Sequence, residues 1–358
     1  MKHETYIKRC LQIAKKGMVT ARPNPSVGAV IVYNDVIIGE GFTSVYGQSH
    51  AEVNAIASVQ DKSLLKEATI YVTLEPCAHF GKTPPCADLI VKHKLKKVVI
   101  GCVDTNSLVS GKGIERLEKA GIEVVVGVLE DECRRHHKRF FTNQEQKRPY
   151  IFLKWAETKD RFVAPLTKNK QQPVWISNTY SKQLVHKWRA EEHAILVGTN
   201  TVLADNPNLT VRTWSGQNPI RIVLDKNLRL PKEANVFDGA VKTIVFYAIE
   251  KQKKLQENLA ISKNETDNTS LVFEAINFSN AIASQICRKL HGHKIQSVII
   301  EGGTQTLQTF IDENLWDEAR VFTGDISFEK GINAPVLKKN LKKQIYIKND
   351  VLKIYMND

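Results

Sequence analysis

The feature that most constrains how this chain can fold is a set of three metal-binding side chains, His50, Cys77 and Cys86. One imidazole and two thiolates are ligands that Zn²⁺ prefers. For them to share one ion, the first turn of a predicted helix must lie beside the end of a predicted strand. Three protein ligands leave the fourth tetrahedral position open, as a catalytic zinc does for water. The sequence therefore predicts a catalytic zinc centre.

A carboxylate accompanies the predicted ligands. Glu52 lies two residues after His50, close to the metal but better placed to transfer protons than to bind the ion. A His-x-Glu pattern followed by Pro-Cys and a second Cys is typical of zinc deaminases, in which the Glu is the acid and base. The pattern predicts that Glu52 takes a proton from water and passes it to the departing amine.

A closed structural zinc site is the alternative for the same residues. His79 would then be the fourth ligand, and Glu52 would have no role. The other histidines of this region, His93, His136 and His137, are predicted to be surface residues rather than ligands.

The first half of the chain alternates between helix and strand patterns, which predicts a sheet between layers of helices. Predicted helices cover 7–14, 50–59, 113–120 and 130–141, and Cys86 begins another. Predicted strands cover 29–33, 36–38, 68–74, 98–101 and 122–126. The strand that ends at Leu74 is predicted to deliver Cys77 to a helix start, where backbone N–H groups would stabilise a thiolate.

A turn with two prolines, Arg22-Pro23-Asn24-Pro25, precedes the first predicted strand. The prolines would hold Asn24 in one orientation. Its amide offers both a donor and an acceptor, so it could read the edge of a heterocycle. An ordinary turn asparagine is the alternative.

Length and charge set the broad class. A chain of 358 residues with 42% hydrophobic and 25% charged residues is typical of a soluble two-domain protein. The net charge of +13 suggests anionic partners, either phosphorylated metabolites or nucleic acid. Because the lysines are spread along the chain without interleaved aromatic residues, a solvated basic surface is favoured over nucleic-acid binding.

The expected compartment is the cytoplasm, because the chain has no apolar run that could cross a bilayer and no apolar signal core at its N-terminus. The cysteines outside the metal motif are predicted to be reduced and packed in apolar or helical surroundings. They are Cys10, Cys102, Cys133 and Cys287.

The polar segment 142–149 ends in proline and is the predicted boundary between domains 1–146 and 147–358. Strand and helix patterns alternate again beyond it. Predicted strands cover 150–155, 174–177, 194–197, 220–224 and 297–300, a helix ends near Arg189, and 262–270 is predicted to be an exposed loop.

The last of these strands runs into Glu301-Gly302-Gly303-Thr304, and a helix is predicted from there to Phe310. Small residues at a strand-to-helix turn let a phosphate approach the backbone N–H groups. The turn lacks the Gly-x-Gly-x-x-Gly fingerprint of dinucleotide-binding folds, and an ordinary tight turn explains it equally well.

Three motifs of the first half resemble the bifunctional deaminase/reductase family of riboflavin biosynthesis. They are Thr20-x-x-Pro23-Asn24-Pro25, His50-Ala51-Glu52 and Pro76-Cys77-x-His79-x-Gly81-x-Thr83-Pro84-Pro85-Cys86. Deaminases of tRNA or free nucleosides usually have the two cysteines closer together. The resemblance implies that His79 and Lys82 contact a phosphorylated pyrimidine, beside Asn24.

Further motifs of the second half are similar to the reductase domain of that family, which resembles dihydrofolate reductase and uses NADPH. They are Leu153-Lys154, Trp175-Ile176-Ser177, Arg189, the segment 201–212, Arg221-Ile222-Val223-Leu224-Asp225 and Glu301-Gly302-Gly303. The resemblance implies cofactor contacts at Ala156, Trp175, Thr201, Asp205, Gly303 and Thr304. It implies substrate contacts at Lys154, Arg189, Leu209, Arg212 and Glu301.

The chain departs from the family pattern at a few places. Thr43 stands where a His is usual, and Asp160-Arg161 replaces Asp-Gly, which removes easy access to a positive φ. Three extra residues lie between Ala164 and Trp175, and Pro173 replaces a polar substrate contact.

The resemblance therefore implies an N-terminal cytidine-deaminase-like three-layer α/β/α domain and a C-terminal dihydrofolate-reductase-like α/β domain. The first would deaminate 2,5-diamino-6-(5-phosphoribosylamino)pyrimidin-4(3H)-one with Zn²⁺, and the second would reduce the ribosyl group to ribityl with NADPH. A homo-oligomer, either dimer or tetramer, with no nucleic-acid or membrane partner is expected. The rivals are a nucleic-acid or nucleoside deaminase with a fused binding domain and a non-catalytic zinc scaffold.

Overall fold

The structure is a computed structural model that describes residues 2–81, 83–105, 109–168, 170–253, 255–256 and 270–357. The chain divides into two compact units, Met1–Lys147 and Arg148–Asp358. Across the described residues, no helix has both the length and the apolar character needed to cross a membrane. The predicted loop at 262–270 lies outside this description except at Ser270.

The first unit is built around one mixed sheet. Its described strands are β1 (Gly28–Tyr33), β2 (Val36–Phe42), β3 (Thr69–Leu74), β4 (Lys97–Cys102) and β5 (Glu123–Val126). Their order is β2-β1-β3-β4-β5, with β1 antiparallel to both neighbours and β3, β4 and β5 parallel. The inner strands β1, β3 and β4 are almost entirely buried, which explains why they are continuous apolar runs rather than alternating ones.

Helices pack on both faces of this sheet. They are α1 (Lys2–Ala14), α2 (Ala51–Ser58), α3 (Cys86–Lys92), α4 (Lys112–Lys119) and α5 (Glu130–Glu145). A Cβ at Gly28 would meet the backbone of α1, whereas one at Gly41, which pairs with Ala29, would meet the backbone of α2. Because successive residues of a strand point to opposite faces, α1 and α2 lie on opposite sides. The predicted three-layer domain is confirmed.

The polar segment 142–149, the predicted domain boundary, overlaps the end of a helix. Helix α5 continues through Glu145, and Thr142 and Asn143 in its last turns are buried. Polar composition alone suggested a linker, but these side chains lie on the inner face of an amphipathic helix. Only the residues from Gln146 to Pro149 lie between α5 and the next strand.

The second unit contains a larger sheet. Its described strands are β6 (Tyr150–Glu157), β7 (Phe162–Pro165), β8 (Ala194–Gly198), β9 (Ile220–Leu224), β10 (Thr243–Ala248), β11 (Leu271–Ile276), β12 (Ser297–Glu301), β13 (Glu318–Thr323), β14 (Gly331–Asn333), β15 (Leu341–Ile347) and β16 (Asp350–Met356). The main sheet runs β11-β10-β9-β8-β12-β6-β13-β16-β15 and is parallel up to β13 and antiparallel beyond it. Strands β7 and β14 form a separate antiparallel pair.

Each face of this sheet carries its own hydrophobic core. Along β6, Ile151, Leu153 and Trp155 belong to one cluster, and Tyr150 and Phe152 belong to the other. The described helices of the unit are α6 (Thr179–Glu191), α7 (Thr199–Asp205), α8 (Ile282–Gly292) and α9 (Thr304–Asp312). A mostly parallel sheet with an antiparallel edge and helices between its strands fits the predicted dihydrofolate-reductase-like domain.

The predicted strand at 174–177 was wrong, because the structure has no strand there. The segment is an extended connection held at two points. A Cβ at Gly324 would lie only 2.1 Å from the carbonyl oxygen of Ile176, and the backbone N–H of Asn178 donates to Asp350 at 2.8 Å. Trp175 projects from this connection with 55% of its surface exposed. The apolar residues therefore produced a strand pattern without a neighbouring strand.

The departure at Arg161 has a measurable backbone consequence. Arg161 has a φ of 66°, in the left-handed region that glycine occupies without strain. Its N–H donates to Thr158 at 3.0 Å, and its carbonyl accepts from Ala334 at 2.9 Å, so the turn is fixed on both sides. The chain therefore keeps the backbone geometry of an Asp-Gly turn with an arginine in it.

We expect Arg161→Gly to increase the free energy of unfolding by about 0.5–1 kcal/mol, because relief of the left-handed strain exceeds the extra chain entropy. Arg161→Ala, which keeps the Cβ, should give no such gain. Urea denaturation followed by tryptophan fluorescence tests this, since all five Trp residues, at 155, 175, 188, 214 and 316, lie in the second unit. A glycine variant less stable than the alanine variant would contradict the explanation.

Candidate active sites

Three elements of the first unit bring the predicted zinc ligands together. His50 is the residue that caps the N-terminus of α2, Cys86 is the first residue of α3, and Cys77 lies in the loop that follows β3. Proline at 76 and at 84 and 85 keeps this loop out of helix until Cys86. Each ligand is thus fixed near the end of a regular element.

The ligand atoms form a compact group. The Nδ1 atom of His50 lies 3.6 Å from the Sγ of Cys77 and 3.3 Å from the Sγ of Cys86. All the potential ligand atoms of the three residues lie within 4.8 Å of one another. These separations are those of neighbouring vertices around a small ion, so the donor set of one imidazole and two thiolates fits zinc.

The predicted helix start at Cys77 was wrong, since the helix begins nine residues later in the chain, at Cys86. The expected stabilisation is nevertheless present. The backbone N–H of Cys86 donates to the Cys77 sulfur at 3.3 Å. Hydrogen bonds from the Cys86 thiol and from His50 further lower the pKa of Cys77. A thiolate, the form that binds metal, is therefore favoured at Cys77.

Glu52 lies on α2 with only 3% of its surface exposed. Burial raises the pKa of its carboxyl to about 7, and the neighbouring Cys77 sulfur adds to the rise. It is outside the group of potential metal ligands. A buried carboxyl beside the metal residues can both accept and donate a proton near neutral pH, which general acid–base catalysis requires.

The other histidines do not complete the metal group. Within the described ranges, the only cluster of potential ligands is the set of His50, Cys77 and Cys86, so His79 is not a fourth member. His137 is buried rather than on the surface, which corrects the prediction for it. Its Nε2 atom lies 3.1 Å from the hydroxyl of Thr73, and burial lowers its pKa well below the usual value. It is a packing residue of α5.

The predicted substrate residues of the first unit can be placed only in part. Asn24 lies in the turn before β1, partly buried, with its backbone N–H bonded to Ala21 at 2.9 Å. His79 lies two residues after Cys77, and its Nδ1 atom is buried without a hydrogen-bond partner among the described residues. Such an unsatisfied atom is available to a ligand. The prediction for Lys82 lies outside the described residues.

Sequence reasoning missed Glu75, which fixes the loop that carries Cys77. Its carboxylate is buried and accepts backbone N–H bonds from Asp104, Gly111, Gly113 and Ile114 at 2.9–3.3 Å. It therefore ties the segment beside Cys77 to the start of α4. Its position between β3 and Pro76-Cys77 was the available signal.

Thr43, which replaces the His that is usual in the family, has a structural contact instead. Its hydroxyl oxygen accepts the backbone N–H of Val27 at 2.9 Å.

In the second unit, a buried carboxylate gathers the predicted substrate residues. Glu301, at the end of β12, pairs with Arg189 of α6 at 2.8 Å and lies 3.9 Å from the Nζ atom of Lys154 on β6. These two cations lower the pKa of Glu301 although its burial acts in the opposite direction. Burial lowers the pKa of Lys154. Strands β6 and β12 are neighbours, which explains how distant residues meet.

Two further predicted contacts flank this group. Burial and the charge of Arg189 lower the pKa of Arg212, so the two guanidinium groups are close enough to interact. Leu209 is buried and has a φ of 56°, a strained conformation for a branched side chain. Two neighbouring arginines suit a phosphate, which guanidinium groups bind in a bidentate manner.

The glycine turn lies between β12 and α9. Gly302 has a φ of 110° and packs against Thr201, so it has to be glycine. Gly303 has an ordinary φ of −68°, donates its N–H to the Thr201 hydroxyl at 3.0 Å, and has open space in front of it, since an added Cβ would meet nothing closer than 3.8 Å. Thr304 begins α9 and bonds Asn333 through its hydroxyl. The open space in front of Gly303, at the N-terminal end of α9, is called the cradle below. It fits a cofactor phosphate.

The remaining predicted cofactor residues lie on three different segments of the second unit. Ala156 lies on β6, one strand away from the glycine turn. Asp205 ends α7 and pairs with Lys168. Trp175 is exposed, and the Nζ atom of Lys182 lies 3.9 Å from the centre of its ring. An exposed flat aromatic ring, in a unit whose parallel strands end near the glycine turn, suits a dinucleotide.

These observations define a class, a zinc deaminase joined to a reductase, and two family models match accordingly. The model described as "Cytidine and deoxycytidylate deaminase zinc-binding region" matches residues 1–102, and the one described as "RibD C-terminal domain" matches residues 149–327. The chain belongs to the RibD family of bifunctional riboflavin-biosynthesis enzymes, with a deaminase and a reductase activity. The cofactors are zinc and NADPH.

Relatives match over nearly the whole chain. The riboflavin biosynthesis protein RibD of Aquifex aeolicus is 41% identical over 92% of this chain and 89% of its own length. That of Escherichia coli is 34% identical over 90% and 87%. The crystal structure of a diaminohydroxyphosphoribosylaminopyrimidine deaminase/5-amino-6-(5-phosphoribosylamino)uracil reductase from Thermotoga maritima has a TM-score of 0.86 and 35% identity, and covers 99% of this chain and 98% of its own.

Proposed function

We propose that residues 1–146 deaminate a diaminopyrimidinone that carries a phosphoribosylamino group, and that residues 147–358 reduce the ribosyl group of the product. The observation that carries this is the compact group of His50, Cys77 and Cys86 with the buried Glu52 beside it. The Thermotoga maritima enzyme, whose name gives both substrates, supports the same chemistry for this chain.

In the deaminase, His50, Cys77 and Cys86 would hold the zinc. Zinc in such a three-ligand site supplies Lewis-acid activation of water. Glu52 would accept a proton from that water and donate it to the leaving amine. Its carboxyl suits this role because burial raises its pKa to about 7. Asn24, His79 and Lys82 would contact the pyrimidine and its phosphate. The unsatisfied Nδ1 atom of His79 supports its part in this set.

In the reductase, the Gly303 and Thr304 backbone would hold a cofactor phosphate, with Thr201, Asp205, Ala156 and Trp175 along the rest of the cofactor. NADPH supplies the hydride. The substrate contacts would come from the charged residues Lys154, Arg189, Arg212 and Glu301 and from the apolar Leu209. Arg189 and Arg212 would bind the substrate phosphate, while Glu301 keeps Arg189 and Lys154 oriented.

Release of ammonia without NADPH tests the deaminase half. The diaminopyrimidinone phosphate should release one ammonia per molecule, whereas cytidine and single-stranded oligonucleotides should release none. Deamination of an oligonucleotide would favour the rival nucleic-acid deaminase. The partly buried contacts of Arg189 with Glu301 and Thr210 support a small-molecule site rather than an exposed nucleic-acid surface.

We expect mutations in the cofactor part and in the substrate part of the reductase site to have separate effects on the two KM values. Gly303→Val fits the local backbone but fills the open space of the cradle, so it should raise the KM for NADPH and spare the substrate. Arg212→Ala should raise the KM for the substrate about tenfold to a hundredfold, the effect of losing a charge-assisted pair of roughly 1.5–3 kcal/mol, and spare NADPH. Steady-state kinetics on both variants measure this, with ammonia release as the control that should not change.

If both variants raise the KM for NADPH and leave the KM for the substrate unchanged, the arginines bind the cofactor. Their assignment to the substrate phosphate would then be wrong.

The assembly and compartment are also part of the proposal. The relatives are bacterial biosynthetic proteins, which supports a location in the cytoplasm. A dimer or tetramer without nucleic acid is proposed, and light scattering on the purified chain, before and after nuclease treatment, measures both. A monomer, or a mass that falls on nuclease treatment, would contradict this part of the proposal.

A further inference from the structure

The backbone that carries Arg212 passes through a strained residue. Residues 208–212, called the substrate segment below, contain Leu209, whose φ of 56° lies in the left-handed region. A strained backbone keeps its conformation only where its surroundings hold it on both sides. Before Leu209, the Nε atom of the fully buried Arg221 donates to the carbonyl of Asn208 at 2.9 Å. The substrate segment therefore also needs an anchor after Leu209.

Helix α6 supplies that anchor through His186, a residue without a role so far. His186 is buried and lies three residues before Arg189, on the same face of the helix. Its Nδ1 atom accepts the backbone N–H of Arg212 at 3.2 Å. The Nη1 atom of Arg189 donates to the carbonyl of Thr210 at 3.4 Å. One face of α6 thus holds the end of the substrate segment at two points.

The His186 ring can hold Arg212 only in its neutral form. Because Nδ1 accepts a hydrogen bond, the single proton of the neutral ring is on Nε2, and a ring protonated on both nitrogens would have no acceptor. Burial and the charges of Arg189 and Arg212 lower the pKa of His186 to about 4, although Glu301 acts in the opposite direction. The acceptor is therefore present at neutral pH.

The guanidinium of Arg212 is not held by a protein carboxylate. Among the residues that the structure describes, no acid forms an ion pair with it. Arg212 is an exposed residue, and its charge is available to an anion. Its position is consequently set by its backbone, which His186 anchors.

We propose that His186 is a positioning residue that directs Arg212 toward the substrate phosphate, and so sets the preference for phosphorylated over dephosphorylated substrate. The inference rests on the proposed assignment of Arg212 to that phosphate. A neutral acceptor suits this role, because it fixes the backbone without neutralising the guanidinium. A carboxylate in its place would compete with the phosphate for the same charge.

Steady-state reduction of pre-deaminated substrate by the full chain, in phosphorylated and dephosphorylated forms, tests this. His186→Gln moves the acceptor one bond further from the backbone. It should raise the KM for the phosphorylated form about threefold to tenfold, the effect of one lost hydrogen bond, and leave the other KM and both kcat values unchanged. His186→Leu, a second variant without the acceptor, should behave in the same way.

His186→Asn is the rescue, because its amide oxygen can take the place of Nδ1. Both KM values should stay within about twofold of those of the unmodified chain. His293→Gln is the matched control, since His293 is a partly buried histidine of the same unit that pairs with Glu274 instead. It should change neither KM. Arg212→Ala, which tests the underlying assignment, should remove most of the preference for the phosphorylated form.

If His186→Gln and His186→Leu keep the preference while Arg212→Ala removes it, the inference is wrong and the assignment of Arg212 stands. Equal losses with both forms of the substrate, or a loss in His186→Asn as large as in His186→Gln, would show that the ring only packs. Either result also overturns the inference. If Arg212→Ala keeps the preference, both the assignment and the inference are wrong.

Discussion

Glu52→Gln should slow deamination by at least about a hundredfold, the scale of a lost general acid and base, while zinc content stays at one ion per chain. Glutamine keeps the size and the hydrogen-bonding reach of the side chain but cannot carry the proton. Because Glu52 is buried on α2 beside the ligands, no bulk water replaces it easily. Ammonia release and elemental analysis on the same preparation measure the two quantities.

The matched control is Glu67→Gln, which makes the same change at an exposed carboxylate of the same unit. It should leave deamination unaltered, and both variants should reduce pre-deaminated substrate at the normal rate. If Glu52→Gln deaminates within a few-fold of the unmodified chain, another group transfers the proton and the assignment of Glu52 is wrong.

Cys77→Ser and Cys86→Ser are each expected to lose most of the zinc and essentially all deamination. A hydroxyl is a far weaker ligand than a thiolate for zinc. The two remaining ligands should not retain the ion when the protein is diluted during gel filtration. At Cys77 the change also replaces the sulfur that accepts the Cys86 backbone N–H with a neutral hydroxyl. Zinc per chain after gel filtration, measured by mass spectrometry of the metal, is the readout.

Cys102→Ser is the control for a cysteine outside the metal group, since Cys102 is a buried thiol of β4. It should keep its zinc. Reduction of pre-deaminated substrate should survive in all three variants. Full zinc occupancy in both ligand variants would show that the metal is bound elsewhere.

The parts of the fold that were predictable are those in which local pattern and tertiary environment agree. Strands β3, β4, β8 and β12 are largely apolar runs, and each is almost entirely buried in the parallel part of its sheet. The site at His50, Cys77 and Cys86 was predictable because ligand chemistry restricts the residue types, whatever the intervening chain does.

Other features depend on contacts that a sequence does not display. Strand β15 is polar and exposed, and it is a strand only because β16 pairs with it along the edge of the sheet. The segment at 174–177 has strand-like composition, but its backbone is held by Gly324 and Asp350 instead. Glu75 gains its role from the backbone N–H groups of Asp104, Gly111, Gly113 and Ile114. His137 is buried in α5, where its ring contacts the hydroxyl of Thr73.

Mass spectrometry of the products from the diaminopyrimidinone phosphate, with and without NADPH, tests the central claim most directly. Without NADPH, the product should have exchanged one of its two ring amino groups, the one at position 2, for a carbonyl oxygen, with release of one ammonia and no other change. With NADPH, it should also have gained two hydrogens on the sugar. A substrate left unchanged in both reactions, or a product that gains hydrogens but keeps both ring amino groups, would contradict an enzyme that deaminates first and then reduces.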